Sequence, residues 1–142
     1  MIFRYRCRLA EDETGAWIAT FPDIPAAITQ GATREEALTN AEDALDAAIS
    51  LLLTRRKPVS PPQDDDGVGE FVSIDPLLAA KVALQAAQAR ANLSNVDLGR
   101  RLNIAEGEVR RMLDPGHPTK VRRLNDALRV LGQRLVVGVE AA

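Results

Sequence analysis

Residues 94–113 read SNVDLGRRLNIAEGEVRRML, and their spacing predicts two short helices crossing at a tight turn. Ser94 offers a hydroxyl to cap the first helix, and Asp97 stands three residues on. Leu98 and Leu102 fall one helical turn apart. Asn103 follows, and asparagine is the best substitute for glycine in the left-handed backbone that closes a helix. Ile104 leads into a second helix, from Ala105 or Glu106 to about Leu113, with Val109 and Met112 on its inner side. Helices crossing at about 90–120° through such a turn need a small residue where they touch, and Gly99 stands there. The pattern is that of a helix-turn-helix, whose second helix, residues 105–113, enters a DNA groove. Its outer side presents Glu106, Gly107, Glu108, Arg110 and Arg111. Arginine grips phosphate or reads a guanine edge, whereas a carboxylate repels phosphate but can accept from cytosine N4. Gly107 permits close approach to a sugar or a thymine methyl.

Toward the C-terminus, residues 114–118 (DPGHP) form a loop and Thr119 caps a helix over about 120–131. Lys120, Arg122 and Arg123 crowd its start, where cations oppose the helix dipole unless an anion such as DNA phosphate compensates. Asn95, Thr119, Lys120 and Arg122 therefore join the residues expected to touch DNA. His117, the one histidine, reads as a loop hydrogen-bonding group, not as a catalyst or ligand. Gly132 ends the helix, and residues 134–139 (RLVVGV) read as a terminal β-strand. A lone strand in a helical domain pairs with its copy from a second chain or returns to the N-terminal sheet. Dimerisation fits, because such motifs bind paired half-sites about one DNA turn apart. Upstream, Asp75 and Pro76 open an alanine-rich apolar helix over 77–91.

The first half has a different grammar. Phe3, Tyr5, Cys7 and Leu9 alternate with Arg4, Arg6 and Arg8, as in a strand with one buried face. Residues 11–15 (EDETG) form a polar turn into a second strand over 16–21. Pro22 and Pro25 bracket a loop, and 26–30 (AAITQ) add a third strand. Thr33 and Glu36 make a capping box. Ala37, Leu38, Ala41, Ala44, Leu45, Ala48, Ile49 and Leu52 then recur at helical spacing, and Arg55, Arg56 and Lys57 close the helix. Residues 58–69 (PVSPPQDDDGVG) are a loop or linker, in which Asp64, Asp65 and Asp66 read as solvated carboxylates and not as a metal site. Residues 70–74 (EFVSI) are the last strand. The expected fold class is α+β: a β-β-β-α-β domain over 1–74, then a helical helix-turn-helix domain with a terminal strand over 75–142.

Charge follows the same division. Residues 1–74 carry 7 Lys+Arg against 13 Asp+Glu (net −6), and residues 75–142 carry 11 against 7 (net +4). The basic half suits phosphate and the acidic half suits a basic protein partner. All the aromatic residues lie before residue 72, so the basic half has no stacking platform for single strands. A single cysteine, Cys7, excludes an intrachain disulfide and a cysteine zinc site. No run is long enough to span a bilayer and the N-terminus has no signal-peptide core, so a cytoplasmic location and no membrane partner are expected. Nothing in the first half resembles an enzyme site: it has no histidine to act as a base and no glycine-rich phosphate loop. No cofactor, metal or catalytic residue is expected.

The stretch WIATFPDIPAAITQGATREEALTNAEDAL, residues 17–45, with its F-P-D-I-P loop and T-Q-G-x-T-x-E-E-A-L helix start, resembles the HicB antitoxin family. The resemblance continues through the paired helices, His117-x-Thr119-Lys120 and the closing L-x-x-L-G-x-R-L-V run. It implies a partial ribonuclease-H-like N-terminal fold without nuclease activity. It also implies a basic partner, a HicA-type toxin that cleaves mRNA, and repression of the operon through operator double-stranded DNA. Glu11, Asp12, Glu13 and Asp23, an acidic turn and loop, are then the expected toxin contacts, and a homodimer or higher homo-oligomer the expected DNA-binding form. The sequence departs from the family pattern at Ala26-Ala27 and at Glu106 and Glu108. Two other readings compete. One is a stand-alone dimeric regulator whose N-terminal domain senses a ligand or oligomerises. The other is a metal-dependent nuclease, which needs carboxylates converging on one site.

Overall fold

A computed structural model of the chain describes residues 1–63, 66 and 68–142. The chain divides into two compact units, Met1–Ala79 and Ala80–Ala142. The element order is β1 (Arg4–Glu11), β2 (Trp17–Thr20), β3 (Ile28–Gly31), α1 (Arg34–Thr54), β4 (Glu70–Ser73), α2 (Pro76–Arg90), α3 (Asn95–Leu102), α4 (Glu106–Leu113) and α5 (Val121–Val130). The fold class is α+β, with a four-stranded antiparallel sheet among the described residues. The division falls inside α2, whereas the sequence expectation placed it before that helix.

In the first unit the sheet order is β3-β2-β1-β4. β1 is shared: its first half pairs with β4 (Tyr5 opposite Val72) and its second half with β2 (Leu9 opposite Ala19). Alternation puts Tyr5, Cys7, Ala19 and Val72 on one face, where they are buried, and Arg4, Arg6 and Arg8 on the other. α1 crosses the buried face and touches all four strands. It buries Ala37, Ala41, Leu45, Ala48, Ile49 and Leu53; the larger aliphatics contribute about 1.5–3 kcal/mol each, and the alanines let the helix lie close. Gly31 shows how close. A methyl on it would stand 2.4 Å from the Ala37 nitrogen, so the end of β3 and the first turn of α1 meet backbone to backbone.

The caps follow the sequence with one change. Thr33 Oγ1 accepts from Glu36 N–H at 3.1 Å, but the Glu36 carboxylate reaches Ala32 N–H, one residue earlier than a standard capping box. Asp12 builds the β1–β2 turn, its Oδ1 accepting from Thr14 N–H, Thr14 Oγ1 and Ala16 N–H. The third strand starts two residues later than expected. Backbone bonds from Ile24 N–H to Phe21 and from Ala27 N–H to Ile24 hold the Pro22–Pro25 segment in turns, and Ala26 and Ala27 stay outside the strand. Of the three loop aspartates, only Asp66 is among the described residues; its carboxylate binds Arg6 at 2.8 Å. The expected loop over 58–69 lies partly outside the described residues, at 64, 65 and 67.

In the second unit α3, α4 and α5 pack around Leu98, Val109, Met112, Leu124 and Leu128, all buried. The expected terminal strand is absent. Residues 134–139 make no strand, and Val136, Val137 and Val139 are 81%, 82% and 98% exposed. A strand exists only by pairing with another, and these residues form no ladder among the described residues. Among the described residues, no helix is long and apolar enough to cross a membrane.

Candidate functional site

The α3–α4 pair is the best-defined constellation on the second unit. Ser94 caps α3, its hydroxyl accepting from Asp97 N–H at 3.1 Å. Asn103 takes the left-handed conformation (φ 55°, ψ 45°), and Ile104 N–H returns to the Gly99 carbonyl at 2.9 Å. A methyl on Gly99 would stand 2.8 Å from the Ile104 oxygen, so this position is confined to glycine by space, not by dihedral angle. The turn therefore locks α4 against α3 with Val109 and Met112 inward.

What α4 then shows outward is set by register. Arg110 and Arg111 are both exposed, as are Lys120 and Arg122 beside the start of α5. Gly107 leaves room over which both guanidiniums lean: a methyl there would lie 3.5 Å from Arg110 Nη2 and 3.8 Å from Arg111 Nη1. The two glutamates act as local counter-ions. Glu106 lies 3.7 Å from Arg110, one turn along the helix, and Glu108 lies 3.4 Å from Arg123 of α5. Such exposed pairs contribute about 0–1 kcal/mol, so they bias these arginines without holding them. Asn95 is half-buried, its amide oxygen accepting from Gln88 Nε2 at 2.7 Å.

Thr119 corrects the sequence reading. It does not cap α5; Lys120 occupies that position without a side-chain bond. Nor does it face outward, being 7% exposed. Its hydroxyl instead lies 3.0 Å from His117 Nδ1 and accepts from Lys81 Nζ at 3.0 Å. Lys81 is the residue that sequence reasoning missed. It is 0% exposed, and its ammonium also donates to the carbonyls of Asp114 (2.5 Å) and His117 (2.7 Å), with Arg111 at 3.4 Å. Burial pulls its pKa below the usual lysine range, partly opposed by the Asp114 charge. The available signal was a single cation flanked by Ala80 and Val82 in an otherwise uncharged helix run.

The four acidic residues expected to meet a toxin do not form one cluster. Glu11, Asp12 and Glu13 are exposed at the β1–β2 turn. Hydrogen bonds from Thr14 above all hold the Asp12 carboxyl below its usual range, so its function there is turn formation. Because Glu11 pairs with Trp17 and Arg8 with Thr20, Asp23 lies beyond the other end of β2. It accepts weakly from Gln63 N–H at 3.4 Å. Burial, and secondarily the Asp23 charge, push Tyr5 up to about 12. Cys7 is pushed up to about 11 by burial and then by Glu70, so it is an unreactive thiol at neutral pH. Among the described residues no group of three or more His, Cys, Asp or Glu is placed to hold a metal ion.

Residues 4–83 match the family described as "HicB_like antitoxin of bacterial toxin-antitoxin system". Over nearly its whole length the chain is also similar to curated relatives. It is 39% identical to Antitoxin HicB 2 of Photorhabdus laumondii, covering 93% of each chain. It is 32% identical to Antitoxin HicB of Pseudomonas fluorescens, covering 100% of this chain and 97% of that one. It is 30% identical to Antitoxin HicB of Escherichia coli strain K12, covering 93% and 96%. These relatives set the class, an antitoxin of a bacterial toxin–antitoxin system. The chain belongs to the HicB-like antitoxin family.

Proposed function

We propose that this antitoxin neutralises a HicA-type, mRNA-cleaving toxin through its first unit and represses its own operon through the second. On this reading α3 and α4 are a helix-turn-helix, and α4 enters the major groove with Arg110 and Arg111 toward the bases or phosphates. Lys120 and Arg122 grip adjacent backbone. The observation that carries it is the α3–α4 pair, closed by left-handed Asn103 and crowded Gly99, with both arginines exposed. The β-β-β-α-β order of the first unit is read as a partial ribonuclease-H-like fold. Its exposed Glu11 and Glu13 offer acid to a basic toxin, while Asp12 shapes the turn that presents them. The repressor acts as a homodimer or higher homo-oligomer on paired half-sites, in the cytoplasm, and performs no catalysis of its own.

The test has two arms. Co-expression with the adjacent open reading frame should rescue growth from that frame's toxicity. Arg110→Ala or Arg111→Ala should weaken binding to the DNA upstream of the operon by about 1–3 kcal/mol where the residue contacts a base, with rescue intact. Unchanged DNA affinity in both variants refutes the recognition-helix assignment, and absence of rescue refutes the toxin assignment.

A further inference from the structure

The end of α4 and the start of α5 are joined by residues 114–120, a loop with little apolar filling. Asp114 accepts locally from Gly116 N–H at 2.8 Å, and α5 begins at Lys120 without a side-chain cap. The component that ties this loop to the helical core is the Lys81 ammonium. Its three N–H groups match three acceptors spread through the loop, the carbonyls of Asp114 and His117 and the hydroxyl of Thr119. Arg111, in the last turn of α4, contributes a fourth, longer contact. A positive charge at this place also complements the orphan carbonyls of a helix C-terminus.

The placement has a consequence for the surface. Arg110 and Arg111 lie at the first of these acceptors, the Arg111 carbonyl, and Lys120 and Arg122 lie just after the last, the Thr119 hydroxyl. We infer that Lys81, on α2, is a positioning residue for DNA binding: from inside the core it fixes the α4–α5 loop, so that the cations of both helices meet one duplex together. Lys81 touches no DNA itself. The inference rests on the DNA-binding reading given above.

The test uses the full chain and the duplex upstream of its operon, titrated at several salt concentrations. Lys81→Met keeps the length and removes the donors. At a temperature where circular dichroism shows it folded, its affinity should fall at least tenfold. The slope of log K against log salt should also lose about one to two phosphate contacts. Loss of stability alone would lower the melting temperature and leave that slope unchanged. Thr119→Val, which removes one acceptor and keeps the ammonium, should shift affinity and slope the same way by less, and Thr119→Ser should restore both; this pair decides if Lys81→Met does not fold. Native affinity and slope in Lys81→Met, or in Thr119→Val where Lys81→Met is unfolded, overturn the positioning role alone. Failure of the native chain to bind the duplex overturns the DNA reading and this inference with it.

Discussion

Gly31 and Gly99 stand at corresponding places in the two units, each where a second element arrives so closely that a methyl group has no room. Around Gly31 the obstacles are backbone atoms of Glu36 and Ala37 at the start of a 21-residue helix that spans a whole sheet. Around Gly99 the obstacle is one carbonyl oxygen, between two helices of 8 residues each. The first contact anchors a broad apolar layer and the second fixes the angle of a small surface device. The loops differ likewise. The first unit ties its chain down with charge pairs near the surface, Arg6–Asp66 and Arg34–Glu70. The second uses an ammonium in its interior. The first unit is built around a broad sheet, and the second around a short helix pair with a few exposed cations.

The largest predicted effect separates the two glycines. Gly31→Ala should cost about 3 kcal/mol, the upper end for overpacking, because backbone cannot step aside. Gly99→Ala should cost less, about 1–2 kcal/mol, since better helix propensity returns part of the strain. Trp17, the only tryptophan, reports the first unit in denaturant titrations, and amide exchange locates the loosened helix in each case. Equal costs would break the contrast. Next come the caps. Thr33→Ala and Ser94→Ala should each cost about 1 kcal/mol. The short α3 should show the larger loss of local amide protection, because it has few other helical bonds.

Alkali should separate the units by sign. Tyr5 and Cys7 are raised to about 12 and 11 from ordinary values of 10.0 and 9.0. The unfolded chain therefore ionises first. Their stabilising contribution is complete below pH 9.0 and is lost as pH rises through about 11 and 12. Lys81 is lowered from 10.5, so the cost of burying its charge is absent above 10.5, where the side chain is neutral in folded and unfolded chains alike, and grows as pH falls to its folded value. The denaturation midpoint read by Trp17 should accordingly decline from pH 9 upward. Tyrosinate absorbance, which reads Tyr5 alone, should appear only well above pH 10. The smallest effect is expected from Glu108→Gln. By releasing Arg123 it should tighten binding to the duplex by about 0.5 kcal/mol, measured by fluorescence anisotropy; weaker binding would mean that Glu108 itself contacts a base.

Much of this was legible in the sequence because it depends on neighbours along the chain. Alternation at 3–9, the Thr33 and Ser94 caps and the left-handed Asn103 are local chemistry, and each has a residue-type signature. The misread features depend on what lies far away. Thr119 looks like a cap until Lys81, 38 residues earlier, claims its hydroxyl. Residues 134–139 have strand composition, yet the single chain forms no strand there, and the edge of a second chain is what the expected pairing requires. The expected toxin contacts are another matter: Glu11, Asp12 and Glu13 at the turn and Asp23 in the loop stand at opposite ends of β2, and only a toxin complex tests them.

The division of labour between the units is most directly tested by following backbone amide signals of the full chain while the upstream duplex, and separately the toxin, is added. DNA shifts should concentrate in residues 94–123 and toxin shifts in residues 1–74. DNA shifts centred on the sheet, or toxin shifts centred on α4, would contradict that division.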